Sequence, residues 1–184
     1  MRKLLIFTLL AGLAGAVAYG TYAAFTGSTT NGSNSFAGGT VTLTSNSAAT
    51  PVYALTSRSP GDTGQRCVRV TYSGSLASTV RLYRSTFSGG TGLDAYVDLT
   101  VTRGTGSQTD CSDFSSAATV YSGTLASFPS AYASGLALTN ASGTASWSQD
   151  DAVTYRITAQ LQNNTAAQGL GTGSHAFSWE ARNQ

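Results

Sequence analysis

Charge is scarce in this sequence. Asp, Glu, Lys and Arg together make up 10% of its 184 residues, against about a quarter in an ordinary globular domain. Lysine occurs once, at Lys3, so a domain downstream of it cannot form the Lys–Asn isopeptide links that lock some pilins. The formal net charge of +2 comes from Arg2 and Lys3, and the remaining arginines balance the eight acidic residues. A neutral chain has no counter-ion-release drive toward DNA or RNA, so no nucleic-acid partner is expected. Neutrality also does little to keep copies of the chain apart. Histidine too occurs once, at His175. That excludes the two-histidine helix of a zincin, and any Ser–His–Asp triad would have to use this one residue. No amphipathic helix is legible beyond the first 24 residues, apart from a turn near 126–133.

Long apolar runs are also missing, with one exception. Arg2 and Lys3 precede an almost unbroken apolar stretch from Leu4 to Ala18, followed by small residues. Basic end, apolar middle and small-residue end are the order of a secretory signal. Residues 1–24 are therefore predicted to be a cleaved signal peptide, forming a helix before removal. Ala16-Val17-Ala18 and Thr21-Tyr22-Ala23 both offer small-x-small cleavage patterns, and a cut between Ala24 and Phe25 fits as well. The alternative is an uncleaved span, since roughly 20 residues suffice to cross a bilayer. Either way the remainder lies outside the cytoplasm, and contact with a membrane is expected only through the signal. The sequence stops at Gln184 without an LPxTG-like motif or a further apolar run, so sortase anchoring is not expected.

Two cysteines, Cys67 and Cys111, are the whole complement. In an exported chain a lone pair reads first as one disulfide. A Cys–Cys–His zinc site with His175 is the alternative, though structural zinc sites usually show close ligand pairs.

What is abundant is Ser, Thr, Gly and Ala, in stretches with a two-residue period. Val41 and Leu43 alternate with threonines. Val68, Val70 and Tyr72 alternate with Cys67, Arg69 and Thr71. Val80 and Leu82 alternate with Arg81 and Tyr83, and Val97, Leu99 and Val101 with Asp98, Thr100 and Thr102. Val153 to Leu161 and His175 to Arg182 repeat the pattern, while 51–56 and 119–125 are weaker strands. Residues 126–150, which contain Pro129 and Trp147, read as a long surface excursion. About eight short strands with turn punctuation predict an all-β antiparallel sandwich. The long connections favour a jelly roll over an immunoglobulin-like order.

Tyr22-Ala-Ala-Phe25 followed by Phe36-Ala-Gly-Gly-Thr-Val-Thr-Leu43 resembles the N-terminal signature of the TasA/camelysin family. Ser59-Pro-Gly-Asp62, Gly74-Ser-Leu76 and Phe177-Ser-Trp-Glu-Ala181 are similar to that family's Pro-Gly-Asp turn, later Gly-Ser-Leu and closing strand. The resemblance covers both ends and the first third of the chain and is thin from 85 to 150. It implies a jelly-roll domain over 36–184, export through a dedicated signal peptidase with cleavage just before Phe25, and a secreted subunit of extracellular fibres or biofilm matrix. It further implies that residues 25–35, with Phe25, Thr26, Ser28 and Thr30, donate a strand to a neighbouring copy. By residues alone a disordered leader is an equal reading of that polar segment. Self-association is the expected partnership, with other matrix or cell-wall components beside it. The Cys pair departs from many relatives, and is expected to pin the loop before the Val68 strand to the loop after the Val97 strand.

The family also carries a claim of metalloprotease activity. This chain does not support one: no catalytic residue, cofactor or metal site is expected. His175 reads as a rim-of-core residue. Asp110, Asp113, Asp150 and Asp151 read as turn residues, without a calcium-loop motif. The competing function is a monomeric surface-binding module, for a glycan or a protein, with Tyr83 and Tyr96 predicted to face outward. Asn31, Asn140 and Asn163 open glycosylation sequons, which matter only in a source that glycosylates them.

Overall fold

The computed structural model describes residues 39–46 and 59–183. All belong to the second of the chain's two units, Gly38–Gln184. The signal segment, the cleavage pair Ala24 and Phe25, the segment 25–35 and the 51–56 strand expectation lie outside the described residues.

The described residues form nine strands: β1 (Leu43–Ser45), β2 (Thr63–Tyr72), β3 (Ser78–Ser88), β4 (Val97–Thr105), β5 (Ser115–Thr124), β6 (Leu136–Leu138), β7 (Ser146–Trp147), β8 (Ala152–Leu161) and β9 (Ser174–Asn183). They form two antiparallel sheets. One has the order β1-β2-β8-β4-β5; in the other, β3 pairs along one side with β6 and β7 and along the other with β9. The expected antiparallel sandwich is what the structure shows. The chain passes between layers from β2 to β3, β3 to β4, β5 to β6, β7 to β8 and β8 to β9. Such repeated crossing is the jelly-roll character expected from the long connections.

The period-two pattern produces the core directly. Val68, Val70 and Tyr72 of β2, Leu99 and Val101 of β4, and Tyr155, Ile157 and Ala159 of β8 turn inward from one layer; Val80 and Leu82 of β3 meet them from the other. Each valine, leucine or isoleucine among them contributes roughly 1.5–3 kcal/mol on burial. The buried Tyr72 hydroxyl is partnered: it lies 2.8 Å from Ser78 Oγ and donates to the Leu76 carbonyl.

The stretch 126–150 is not a surface excursion. Its Phe128, Leu138 and Trp147 are buried, β6 and β7 complete the smaller sheet, and Trp147 Nε1 donates to the Leu138 carbonyl at 3.2 Å. The helical turn expected near 126–133 is a 3-10 turn at Tyr132–Ser134. Tyr96 also departs from expectation. It ends a 3-10 turn, Leu93–Tyr96, and packs against the core instead of facing out from a strand.

Candidate functional site

Cys67 and Cys111 form the chain's disulfide, across a sequence separation of 44. Closing that loop stabilises the fold by about 4 kcal/mol in the chain-entropy model. A disulfide fits an oxidising compartment. The expectation that it joins two loops is corrected on one side, because Cys67 sits within β2 and is fully buried. Val68 points inward, so Cys67 points to the outer face of the five-stranded sheet. Cys111, at φ 66°, lies in the turn between β4 and β5.

His175 lies on β9, its ring edge-on to Phe177 at 5.8 Å and its Nδ1 3.4 Å from the Gly173 carbonyl. Burial pushes its imidazole below the ordinary value, helped by the nearby Arg84 guanidinium; the Gly173 contact and Asp94 oppose this. The acidic residues singled out in the sequence hold turns. The Asp113 carboxylate accepts from Ser107 N at 2.7 Å and Gln108 N at 3.0 Å, and Asp110 accepts from Ser112 N at 3.0 Å. These bonds hold both carboxyls below their ordinary range. Asp151 accepts from Ser148 N and from Asn140 Nδ2. Asn140 is buried, so its sequon is closed off inside a turn, whereas Asn163 is exposed. Among the described residues no three His, Cys, Asp or Glu side chains gather where they could hold a metal ion. A pocket of about 150 Å³ lined by Arg69, Arg103 and Thr154 is smaller than the ~300–1,000 Å³ of typical small-molecule sites.

The outer face of the smaller sheet carries a connected polar network. The Tyr83 hydroxyl donates to Glu180 Oε2 at 2.6 Å, Arg182 Nε donates to Glu180 Oε1 at 2.7 Å, and the Arg182 guanidinium lies 3.8 Å from the Tyr132 ring centre. Arg81 donates to the Ala133 carbonyl at 2.9 Å. The hydrogen bonds from Tyr83 and Arg182 hold the Glu180 carboxyl below its ordinary range, and the acceptor raises the Tyr83 phenol. Tyr83 thus faces outward as expected, but Tyr96 does not share its face. The one other tyrosine of this network, Tyr132, is covered by an arginine.

The two layers end in unlike edges. β1, β6 and β7 are only two or three residues long. β5 and β9 each run ten residues, and among the described residues each pairs with one strand only. β5 is interrupted. Its register against β4 shifts between Val101 and Thr102 and again between Arg103 and Gly104, leaving Val120 and Ala117 as extra residues. Bulges of this kind twist an edge away from further pairing. β9 is regular. The single shift in its ladder, between Arg84 and Thr86, places the extra residue, Ser85, on β3. β9 has no proline or lysine, and its Glu180 and Arg182 are engaged with Tyr83 and Tyr132. On its inner face Phe177, Trp179 and Ala181 are only partly buried against the core. Trp179 Nε1 is buried there without a hydrogen-bond partner among the described residues. The alternation of β9 was legible in the sequence. Its edge position was not, because that depends on the order of strands it does not touch.

Set against models of known protein families, the chain matches none, and no curated protein sequence is significantly similar to it.

Proposed function

We propose that this chain is an exported, non-enzymatic structural subunit that builds extracellular fibres or biofilm matrix by non-covalent strand addition. The observation that carries the reading is the unbulged, ten-residue β9, which among the described residues pairs with β3 alone. A regular edge without proline or lysine is a template for a further strand. The donor is the segment 25–35 of a neighbouring copy, including Phe25, Thr26, Ser28 and Thr30. Eleven extended residues span about 36 Å and a ten-residue strand about 33 Å, so the lengths match. The segment has no charged side chain, so beyond the α-amino group of a mature Phe25 only neutral groups are desolvated against the sheet. Phe25 supplies an apolar side chain for the half-covered strip of Phe177, Trp179 and Ala181. The signal-like N-terminus, the neutral lysine-free domain and the resemblance to TasA/camelysin proteins support the same reading. Other matrix or cell-wall components are its further partners.

The test is N-terminal sequencing of the secreted protein, followed by negative-stain imaging with and without residues 25–35. Filaments in the intact mature protein, and their loss on deletion with an unchanged β-type circular dichroism spectrum, are expected. Monomers alone over a wide range of concentration and salt, or filaments that survive the deletion, would overturn the proposal.

A further inference from the structure

The loop that contains Cys111 lies across the outer face of the five-stranded sheet. Thr154 Oγ1 donates to the Gly106 carbonyl, and the Arg156 guanidinium sits 4.9 Å from the Phe114 ring centre. Beneath the loop Cys67, Thr102 and Thr154 are buried. Gly104 is required here: a Cβ would collide with the Ser115 carbonyl and the Phe114 ring. The loop continues over β8 as far as the edge of β2, because the disulfide draws it there. At that edge Cys67 N donates to the Thr109 carbonyl at 3.0 Å. Asn46 completes the closure. Its Nδ2 donates to the Ser107 carbonyl at 2.9 Å, its Oδ1 accepts from Arg69 N at 2.8 Å, and its N donates to the Arg69 carbonyl at 3.2 Å. β1 pairs with β2 only from Val70 to Tyr72. Beside Cys67 and Arg69, the 107–109 backbone and Asn46 occupy the places a neighbouring strand would take.

We propose that the Cys67–Cys111 disulfide is an edge lock, which holds the 106–114 loop over β2 and leaves β9 as the acceptor edge of the oxidised subunit. Opening the lock takes two electrons and two protons from a dithiol, which leaves as its cyclic disulfide, while Cys67 and Cys111 become thiols. The loop then lifts, and the backbone of Cys67 to Arg69 becomes a second acceptor for segment 25–35 of another copy. One subunit then receives two donors, and linear assembly becomes branched. This consequence rests on the strand-addition reading; the lock itself does not.

The experiment compares the mature protein, oxidised or treated with dithiothreitol, by residue-resolved amide exchange and by sedimentation. Exchange at the Cys67 and Arg69 amides is expected to quicken by about tenfold or more on reduction, while Leu82 and Ile157 in the core stay protected. Association is expected to rise with it. Unchanged exchange at Cys67 and Arg69 would overturn the lock even in a protein that never forms fibres. Faster exchange without added association would overturn the second acceptor edge. If the reduced protein unfolds, seen as lost protection of Leu82 and Ile157, the lock is still read from Asn46→Ala, which keeps the disulfide. There Arg69 is expected to exchange faster while Cys67 stays protected, and an unchanged Arg69 would contradict the proposal.

Discussion

Two side chains carry measurable weight on their own. Trp147 is fully buried and its indole N–H is satisfied by the Leu138 carbonyl. Trp147→Ala should cost about 3–5 kcal/mol in chemical denaturation, since the cavity sits where β7 closes onto the core. A loss below about 1 kcal/mol would mean the site collapses or is not core. His175 gives a pH dependence whose sign is fixed by its depressed imidazole. The unfolded chain binds a proton near the ordinary value of about 6.5, and the folded chain only below it. Stability is therefore full above that value and falls as pH drops from there to the lower folded-state value. His175→Phe should remove this part of the acid sensitivity, as read from thermal unfolding between pH 7 and 5. These two residues also differ in how legible they were. His175 stood in a clean alternation and could be placed at the rim of the core. Trp147 stood among serines and glycines, in a strand of two residues that no period can reveal.

At the scale of elements, alternation was informative where both faces of a strand meet contrasting surroundings. β2, β4 and β8 lie inside their sheet, and their inward valines, leucines, tyrosines and isoleucine mark one face. The first half of β5 shows no such contrast, because Ser115 to Thr119 are all exposed. β6 and β7 are too short to show a pattern and gain their place by pairing with β3. Edge character is set by sheet order and bulges, so sequence pattern alone could not separate β5 from β9. The difference between these two edges yields a paired prediction. Ala176 is exposed on β9 and Thr119 is exposed on β5. A lysine on an edge opposes strand addition. Ala176→Lys should reduce self-association in light scattering by about tenfold or more, the equivalent of ~1.4 kcal/mol, while Thr119→Lys leaves it unchanged. The reverse order would assign assembly to β5.

The described part of the chain is a small sandwich with one disulfide, in which β9 pairs with β3 alone among the described residues, and segment 25–35 matches β9 in length. The disulfide's place in this is energetic as well as topological. Replacing both cysteines with alanine should lower the unfolding free energy by about 4 kcal/mol, with the fold retained in circular dichroism. In the sequence the two cysteines read first as a disulfide, with a zinc site as the alternative, and the structure shows the disulfide. The sequence did not show that their loop crosses the sheet to reach a strand edge, which depends on β8 lying between β2 and β4. The central claim is that the folded subunit works by adding a strand to its neighbour. Sedimentation velocity of the mature oxidised protein over a hundredfold range of concentration tests it most directly. Growing oligomers that revert to a single monomeric boundary when residues 25–35 are removed are the predicted result; a monomeric boundary at every concentration for the intact protein would contradict it.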